Sequence, residues 1–211
     1  MTKTKLIRLA AIFIALGVPL ASADPSAVPT DAKEVNPVEA GATAPNVALT
    51  KADGSQVHLH DLVADDPAVL VFYRGGWCPY CNRHLAALGQ IEDDLRELGY
   101  RIHAVSMDKP EKVAEAAAEA EFNYALYSDA TAQAAKAFGL AFKVSTATNL
   151  KLRAFGINLE EASGEDHRIL PVPAVFLIGR GGRIDFRYYN PDYKERLSGE
   201  ALLEAAREEQ R

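Results

Sequence analysis

The run Ala68-Val-Leu-Val-Phe-Tyr73 is uniformly apolar, as a central strand covered on both faces must be. It leads through Arg74-Gly-Gly-Trp77 into Cys78-Pro79-Tyr80-Cys81. Leu85, Leu88, Ile91, Leu95 and Leu98 then recur at helical spacing, with Gly99 as a C-terminal stop. A buried strand therefore passes within a few residues into an amphipathic helix, and this commits the chain to a layered α/β architecture. The chain has only two cysteines, and both lie at this junction. A thiol at a helix N-terminus is where a thiolate is stabilised, and a thiolate is the reactive species of thiol redox chemistry. Disulfide stabilisation grows with the loop closed. A loop of two residues gains little from a fixed bridge, so the spacing points to a bond that is made and broken.

The chain begins with the pattern of an export signal. Lys3, Lys5 and Arg8 precede the apolar stretch Leu9 to Leu20, and Ala21-Ser22-Ala23 supplies a small-x-small cleavage site. The apolar stretch is too short to span a bilayer. The expected organisation is a signal peptide over 1–23, an extended leader over 24–44 and one domain over 45–211. Removing 1–23 takes away three positive charges and no acid, leaving a net charge of −9. An acidic surface argues against nucleic acid and anionic membrane as partners, and no membrane association is expected after signal cleavage. The expected location is periplasmic or secreted, an oxidising setting for the two thiols.

Pro25, Pro29 and Pro37 mark the leader as extended, either wrapped on the domain or mobile. Val47 and Leu49, the turn Asp53-Gly54, then Val57 and Leu59 form a hairpin signal. Ile102 to Ser106 reads as the next strand. Asp108, with Glu111 three residues on and Pro110 in the first turn, opens a helix reaching about Glu121. Tyr124 to Tyr127 is a short strand, and Asp129 caps a helix that ends near Phe138-Gly139. Residues 141–170 show no clear strand pattern and read as an insertion beside the site with one or two short helices. Val172 to Ile178, the turn Gly179 to Gly182, and Arg183 to Arg187 form a second hairpin. Ser198 begins a terminal helix with Leu202, Leu203 and Ala206 inward.

These elements in this order resemble the thioredoxin fold: a three-layer sandwich with a mixed central sheet and helices on both faces. Val71-Phe-Tyr-Arg-Gly-Gly-Trp-Cys-Pro-Tyr-Cys81, Val105-Ser106-Met-Asp108 and Leu170-Pro-Val-Pro173-Ala-Val-Phe resemble the peroxiredoxin-like branch named for alkyl hydroperoxide reductase and thiol-specific antioxidant. The chain also departs from that pattern. Laid on the peroxiredoxin Pro-x-x-x-Thr-x-x-Cys, Cys81 takes the peroxidatic position, Cys78 the threonine position and Arg74 the proline position. Pro173 stands where the family has an arginine, and in that respect is similar to the cis-proline facing the thioredoxin dithiol.

The resemblance implies an antioxidant thiol oxidoreductase without a cofactor. Its partners would be a thioredoxin-type or other thiol reductant and a disulfide or hydroperoxide substrate. In disulfide exchange Cys78 attacks and Cys81 resolves. In a peroxidase proper the roles invert, with Cys81 peroxidatic. Pro79 and Tyr80 tune the potential, Trp77 covers one side of the pair, and Arg74 favours the thiolate or is a solvated loop charge. Pro173 exposes backbone for a substrate strand and keeps metal from the thiols. His84, one turn after Cys81, is a proton shuttle or a surface residue. The run Tyr188 to Tyr193 lines a substrate surface or fills space before the last helix. A copper-handling module using the two cysteines and His167, or a redox-inert binding domain, are the readings of another class. No resident metal is expected.

Overall fold

The structure is a computed structural model and describes residues 28–120 and 122–210. The signal-peptide reading falls on residues outside this range. Among the described residues no helix is long and apolar enough to cross a membrane.

Nine strands and eight α-helices are described, besides a short 3-10 helix at Ala32–Glu34 in the leader. They are β1 (Ala48–Thr50), β2 (Gln56–His58), α1 (Leu59–Leu62), β3 (Ala68–Phe72), α2 (Pro79–Gly89), α3 (Glu92–Glu97), β4 (Arg101–Ser106), α4 (Pro110–Ala118) and β5 (Ala125–Ser128). There follow α5 (Gln133–Ala137), β6 (Ala141–Lys143), α6 (Thr146–Ala154), α7 (Leu159–Ser163), β7 (Ile169–Pro171), β8 (Ala174–Ile178), β9 (Ile184–Tyr189) and α8 (Gly199–Glu208). Seven strands form one mixed sheet in the order β2-β1-β5-β4-β3-β8-β9, and β6 pairs with β7 separately. The strands β3, β4 and β5 are parallel, whereas β8 runs antiparallel to β3, with Phe72 opposite Ala174.

Alternation along β3 builds a core on each face. Val69, Val71 and Tyr73 point to one side and pack with Leu85, Leu88, Leu95, Val113, Leu202 and Leu203, so α2, α3, α4 and α8 cover that face. Ala68, Leu70 and Phe72 point to the other and pack with Leu59, Ala134, Phe138 and Phe176, which places α1 and α5 there. The strand lies in the middle of a three-layer sandwich because every side chain on it is apolar. Both cysteines belong to the first face.

The described part of the leader is docked. Val38 N–H donates to the Phe138 carbonyl and Gly41 N–H to that of Ile184, while Arg187 donates to the Pro37 carbonyl and pairs with Glu39 at 2.6 Å. Gly139 makes this strap possible. It has φ +68, and a Cβ there would overlap the Asn36 carbonyl oxygen.

Four local expectations are corrected. The helix expected from Cys81 to Leu98 is broken at residues 90–91, where Ile91 N–H reaches the Leu88 carbonyl instead of the one a turn further back. Gly89 sits against Phe122 at this break: a Cβ would come within 2.8 Å of the Phe122 Cβ. Asp108 does not cap α4. Lys109 is the capping residue, and the Asp108 carboxylate turns toward the loop before Cys78. The insertion holds both expected helices and also a strand at each end, β6 and β7, paired from Ala141 opposite Pro171 to Lys143 opposite Ile169. No described peptide bond is cis, so the bond preceding Pro173 is trans.

Candidate active site

The sheet delivers the site loop through β3. Tyr73 N–H extends the β3–β4 pairing by one bond to the Val105 carbonyl, and the chain then turns at Arg74. Gly75 has φ +155, and a Cβ there would overlap the Trp77 indole nitrogen and lie 2.7 Å from Asp108 Oδ1. Gly76 N–H donates to Asp108 Oδ2 at 2.6 Å, and Asn82 Nδ2 donates to the Gly76 carbonyl at 2.7 Å. Two side chains from outside the loop thus hold it on either side of Gly76.

Cys78 is the residue before the first turn of α2, with Pro79 in that turn, where its missing N–H leaves no bond unmade. The Cys78 carbonyl accepts from Cys81 N–H and Asn82 N–H. Both cysteines are free thiols, 2 % and 0 % exposed. They titrate as a pair. The Cys81 thiol donates to Cys78, and with the Cys81 backbone N–H and the Arg74 and Arg196 guanidiniums it pulls Cys78 down to about 6 against the opposing effect of burial. Donating that proton, burial, and the charge on Cys78 together push Cys81 well above the ordinary thiol range. The negative charge therefore rests on Cys78, and Cys81 holds the proton.

A cationic and aromatic wall stands beside the pair. Arg74 is 8 % exposed, with its guanidinium 5.0 Å from the Trp77 ring centroid and 4.3 Å from that of Tyr193. Tyr193 meets Tyr80 edge-on at 5.6 Å. The segment after β9 therefore contributes to the wall of the site as well as filling space before α8. Arg196, on the same segment, points Nη2 at Cys81 Sγ, 3.6 Å away. Behind the loop, burial holds the Asp108 carboxyl up at about 6, outweighing the Gly76 N–H, Ser106 and the Trp77 indole, which favour its charged form. A cleft of about 320 Å³ runs from Gly76, Trp77 and Asp108 between α4 and α7, and neither cysteine lines it.

Cys78, Cys81, Trp77, Pro79, Tyr80 and Arg74 thus come together around one loop. Pro173 stands next to Ala174, at the end of β8 beside the exit of β3. Its carbonyl accepts from Asn190 N–H, and the neighbouring Val172 N–H donates to the Leu140 carbonyl. These groups are not free for a substrate strand, contrary to expectation. His84 is buried rather than on the surface. Its Nε2–H donates to the Leu197 carbonyl, and burial with the nearby Arg196 charge holds its pKa down at about 4, so the ring is neutral. His167 is also structural: Nε2 donates to the Ala130 carbonyl and Nδ1 accepts from Ile169 N–H, which leaves neither nitrogen for a metal. Among the described residues no three His, Cys, Asp or Glu side chains group as a metal site.

Sequence reasoning missed Arg196 and misplaced Asp108. Asp108 carried a signal that was open to a second use, since it follows the end of β4, the strand paired with β3. Arg196 carried none, lying 115 residues from the thiol it meets.

A thioredoxin-like sheet with a dithiol at the start of the helix after its central strand defines the thioredoxin-fold thiol oxidoreductases. Residues 40–187 match the AhpC/TSA family, and the chain belongs to it. It is 33 % identical over 106 residues to peroxiredoxin Bcp of Escherichia coli K12, covering 50 % of this chain and 67 % of that one. It is 22 % identical over 162 residues to the thiol-disulfide oxidoreductase ResA of Bacillus cereus, covering 77 % and 76 %. Similar solved structures include reduced Prx3 of Vibrio vulnificus in complex with hydrogen peroxide, with TM-score 0.66, 20 % identity and coverage of 82 % and 98 %. Peroxidoxin BcpB of Mycobacterium tuberculosis has TM-score 0.64 and 20 % identity, with coverage of 81 % and 97 %. The structural likenesses support the fold. Family membership makes the chain an oxidoreductase.

Proposed function

We propose that this protein is an exported thiol-dependent reductase that cycles Cys78 and Cys81 between dithiol and disulfide and acts on small hydroperoxides and small disulfides in antioxidant defence. The observation that carries the reading is the place of Cys78 at the residue before the first turn of α2, where the helix N-terminus and the Arg74 and Arg196 guanidiniums favour its thiolate. Burial of both sulfurs and the occupied backbone at Pro173 favour a small substrate over an extended partner chain. Export rests on the pattern of residues 1–23.

With a hydroperoxide, the Cys78 thiolate attacks the distal oxygen, the O–O bond breaks, and the alkoxide leaves as alcohol after taking a proton. Cys78 is now a sulfenic acid. Cys81 gives up its proton and attacks Cys78 Sγ. The S–S bond forms, and hydroxide leaves as water. An external thioredoxin-type dithiol returns the pair to the reduced state by exchange. With a disulfide substrate the first step makes a mixed disulfide at Cys78 and releases one thiolate, and Cys81 then releases the other.

A second reading has support of its own. Cys81 receives the Arg196 guanidinium and the Arg74 backbone N–H, both of which favour its thiolate, and it occupies the peroxidatic position of the family pattern. In that reading Cys81 is oxidised first and Cys78 resolves. Steady-state turnover of hydrogen peroxide and of a small disulfide, each with a thioredoxin-type reductant, tests the main reading. Turnover of both is expected, and turnover of neither contradicts it.

A further inference from the structure

The cysteine pair has a chemical problem that the first step does not solve. Cys81 is fully buried, and before the attack it needs no charge, because its thiol serves as a donor to Cys78. Once Cys78 is a sulfenic acid or a mixed disulfide, that acceptor has lost its charge. Cys81 must then become a thiolate itself, in a setting where an unpartnered charge is costly.

We propose that Arg196 is a catalytic residue of this second step, receiving the Cys81 thiolate as it attacks Cys78. Three observations support the assignment. Arg196 Nη2 is 3.6 Å from Cys81 Sγ, so the contact is with a reacting atom. Its other hydrogen bond, from Nη1, reaches only the carbonyl of its neighbour Glu195, and Arg196 takes part in none of the ion pairs among the described residues. The charged and titratable groups that act on Cys81 include no competing anion apart from Cys78 itself. Arg74 precedes the dithiol and faces the Trp77 and Tyr193 rings, Arg196 comes from the segment before α8, and Tyr73 is a neutral phenol whose pKa burial raises. His84, one turn on, is neutral. When Cys78 is taken up, the charge-assisted donor left at Cys81 is the Arg196 guanidinium, aided by the Arg74 backbone N–H.

The step balances with either substrate. The Cys81 S–H bond breaks and its proton goes to the departing hydroxide or thiolate. The new S–S bond takes the place of Cys78 S–O or Cys78 S–S, and the two electrons that the dithiol loses end on the substrate. The proposal rests on the reading that Cys78 attacks first.

Single-turnover mixing with 4,4′-dithiodipyridine, a neutral disulfide, separates the two steps, because each thiol attack releases one equivalent of the chromophoric thiopyridone. At about pH 8, where Cys78 stays ionised even without the Arg196 charge, Arg196→Met should slow the second release about tenfold, the scale of one hydrogen bond to a charged group, and the first release by a much smaller factor. The pH midpoint of the second release should move upward, and Arg196→Lys should restore most of the rate. The side chain is only half-buried, so the lysine variant keeps the test available if the methionine variant folds poorly. A second release that is unchanged in Arg196→Met, with Cys78→Ser inert, overturns the role of Arg196 and leaves the attack order standing. A first release that survives in Cys78→Ser and is itself slowed by Arg196→Met overturns the attack order, and with it the assignment to the second step.

Discussion

Removing the Cys81 thiol should raise the pKa of Cys78, because the largest influence lowering it is a hydrogen bond from that thiol. In the intact pair Cys78 titrates at about 6, against 9.0 for an unperturbed thiol. A hydrogen bond to a charged acceptor contributes roughly 1.5–3 kcal/mol, and each pH unit corresponds to 1.36 kcal/mol. Cys81→Ala should therefore shift Cys78 upward by about one to two pH units, to roughly 7–8. Arg74, Arg196 and the start of α2 still act on it, so it should not reach the full value of a free thiol. The assay is the rate of iodoacetamide alkylation of the Cys78 peptide as a function of pH, in the reduced intact protein and in the variant. A Cys78 midpoint near that of a free thiol in the intact protein, or no change on removing Cys81, would refute the claim that Cys81 holds the shared proton.

Other consequences follow from the groups around the loop. Asp108 has its folded pKa raised to about 6 from 3.8, so its contribution to stability is complete below the unfolded value and is lost as pH rises through about 6. Asp108→Asn keeps an acceptor for Gly76 N–H and should be more stable than the parent at pH 8 by on the order of 2 kcal/mol, with the gain gone at pH 4, as read by denaturant unfolding at each pH. Gly75→Ala should displace Trp77, the only tryptophan, and change the intrinsic fluorescence together with a loss of about 1–3 kcal/mol of stability; an unchanged spectrum would show that the loop absorbs the methyl group. Arg196→Met should raise the His84 pKa from about 4, because part of its depression comes from that charge, and the imidazole proton signals in an NMR pH titration report it.

The parts of the fold that were legible in the sequence are those set by local pattern. β3 could be read from its unbroken apolar run, the dithiol from its place after that strand, and α8 from Leu202, Leu203 and Ala206 on one face. The leader left two options open, and only its long-range bonds to Phe138 and Ile184 decide between them. β6 and β7 have three residues each and gain their strand character from pairing with each other across the insertion, so neither shows a period of its own. At the break at 90–91 Phe122 lies against Gly89, a contact between distant segments that no local pattern signals. The candidate site divides in the same way. Its cysteines, Trp77, Pro79, Tyr80 and Arg74 lie in one short segment that runs from the loop into α2, and they could be listed from it. Asp108, Tyr193 and Arg196 enter through the third dimension. The reading of Pro173 as an exposed docking point failed because its carbonyl is already bonded to Asn190.

The central claim is that Cys78, and not Cys81, makes the first attack. Peptide mass mapping after a brief pulse of substoichiometric hydrogen peroxide and a sulfenic-acid trap, on Cys81→Ser and Cys78→Ser side by side, tests it most directly. Trapped sulfenic acid at Cys78 in Cys81→Ser, with Cys81 still a thiol in Cys78→Ser, is the predicted result. Sulfenic acid at Cys81 in Cys78→Ser, with Cys78 unmodified in Cys81→Ser, would contradict it and give the inner cysteine the attacking role.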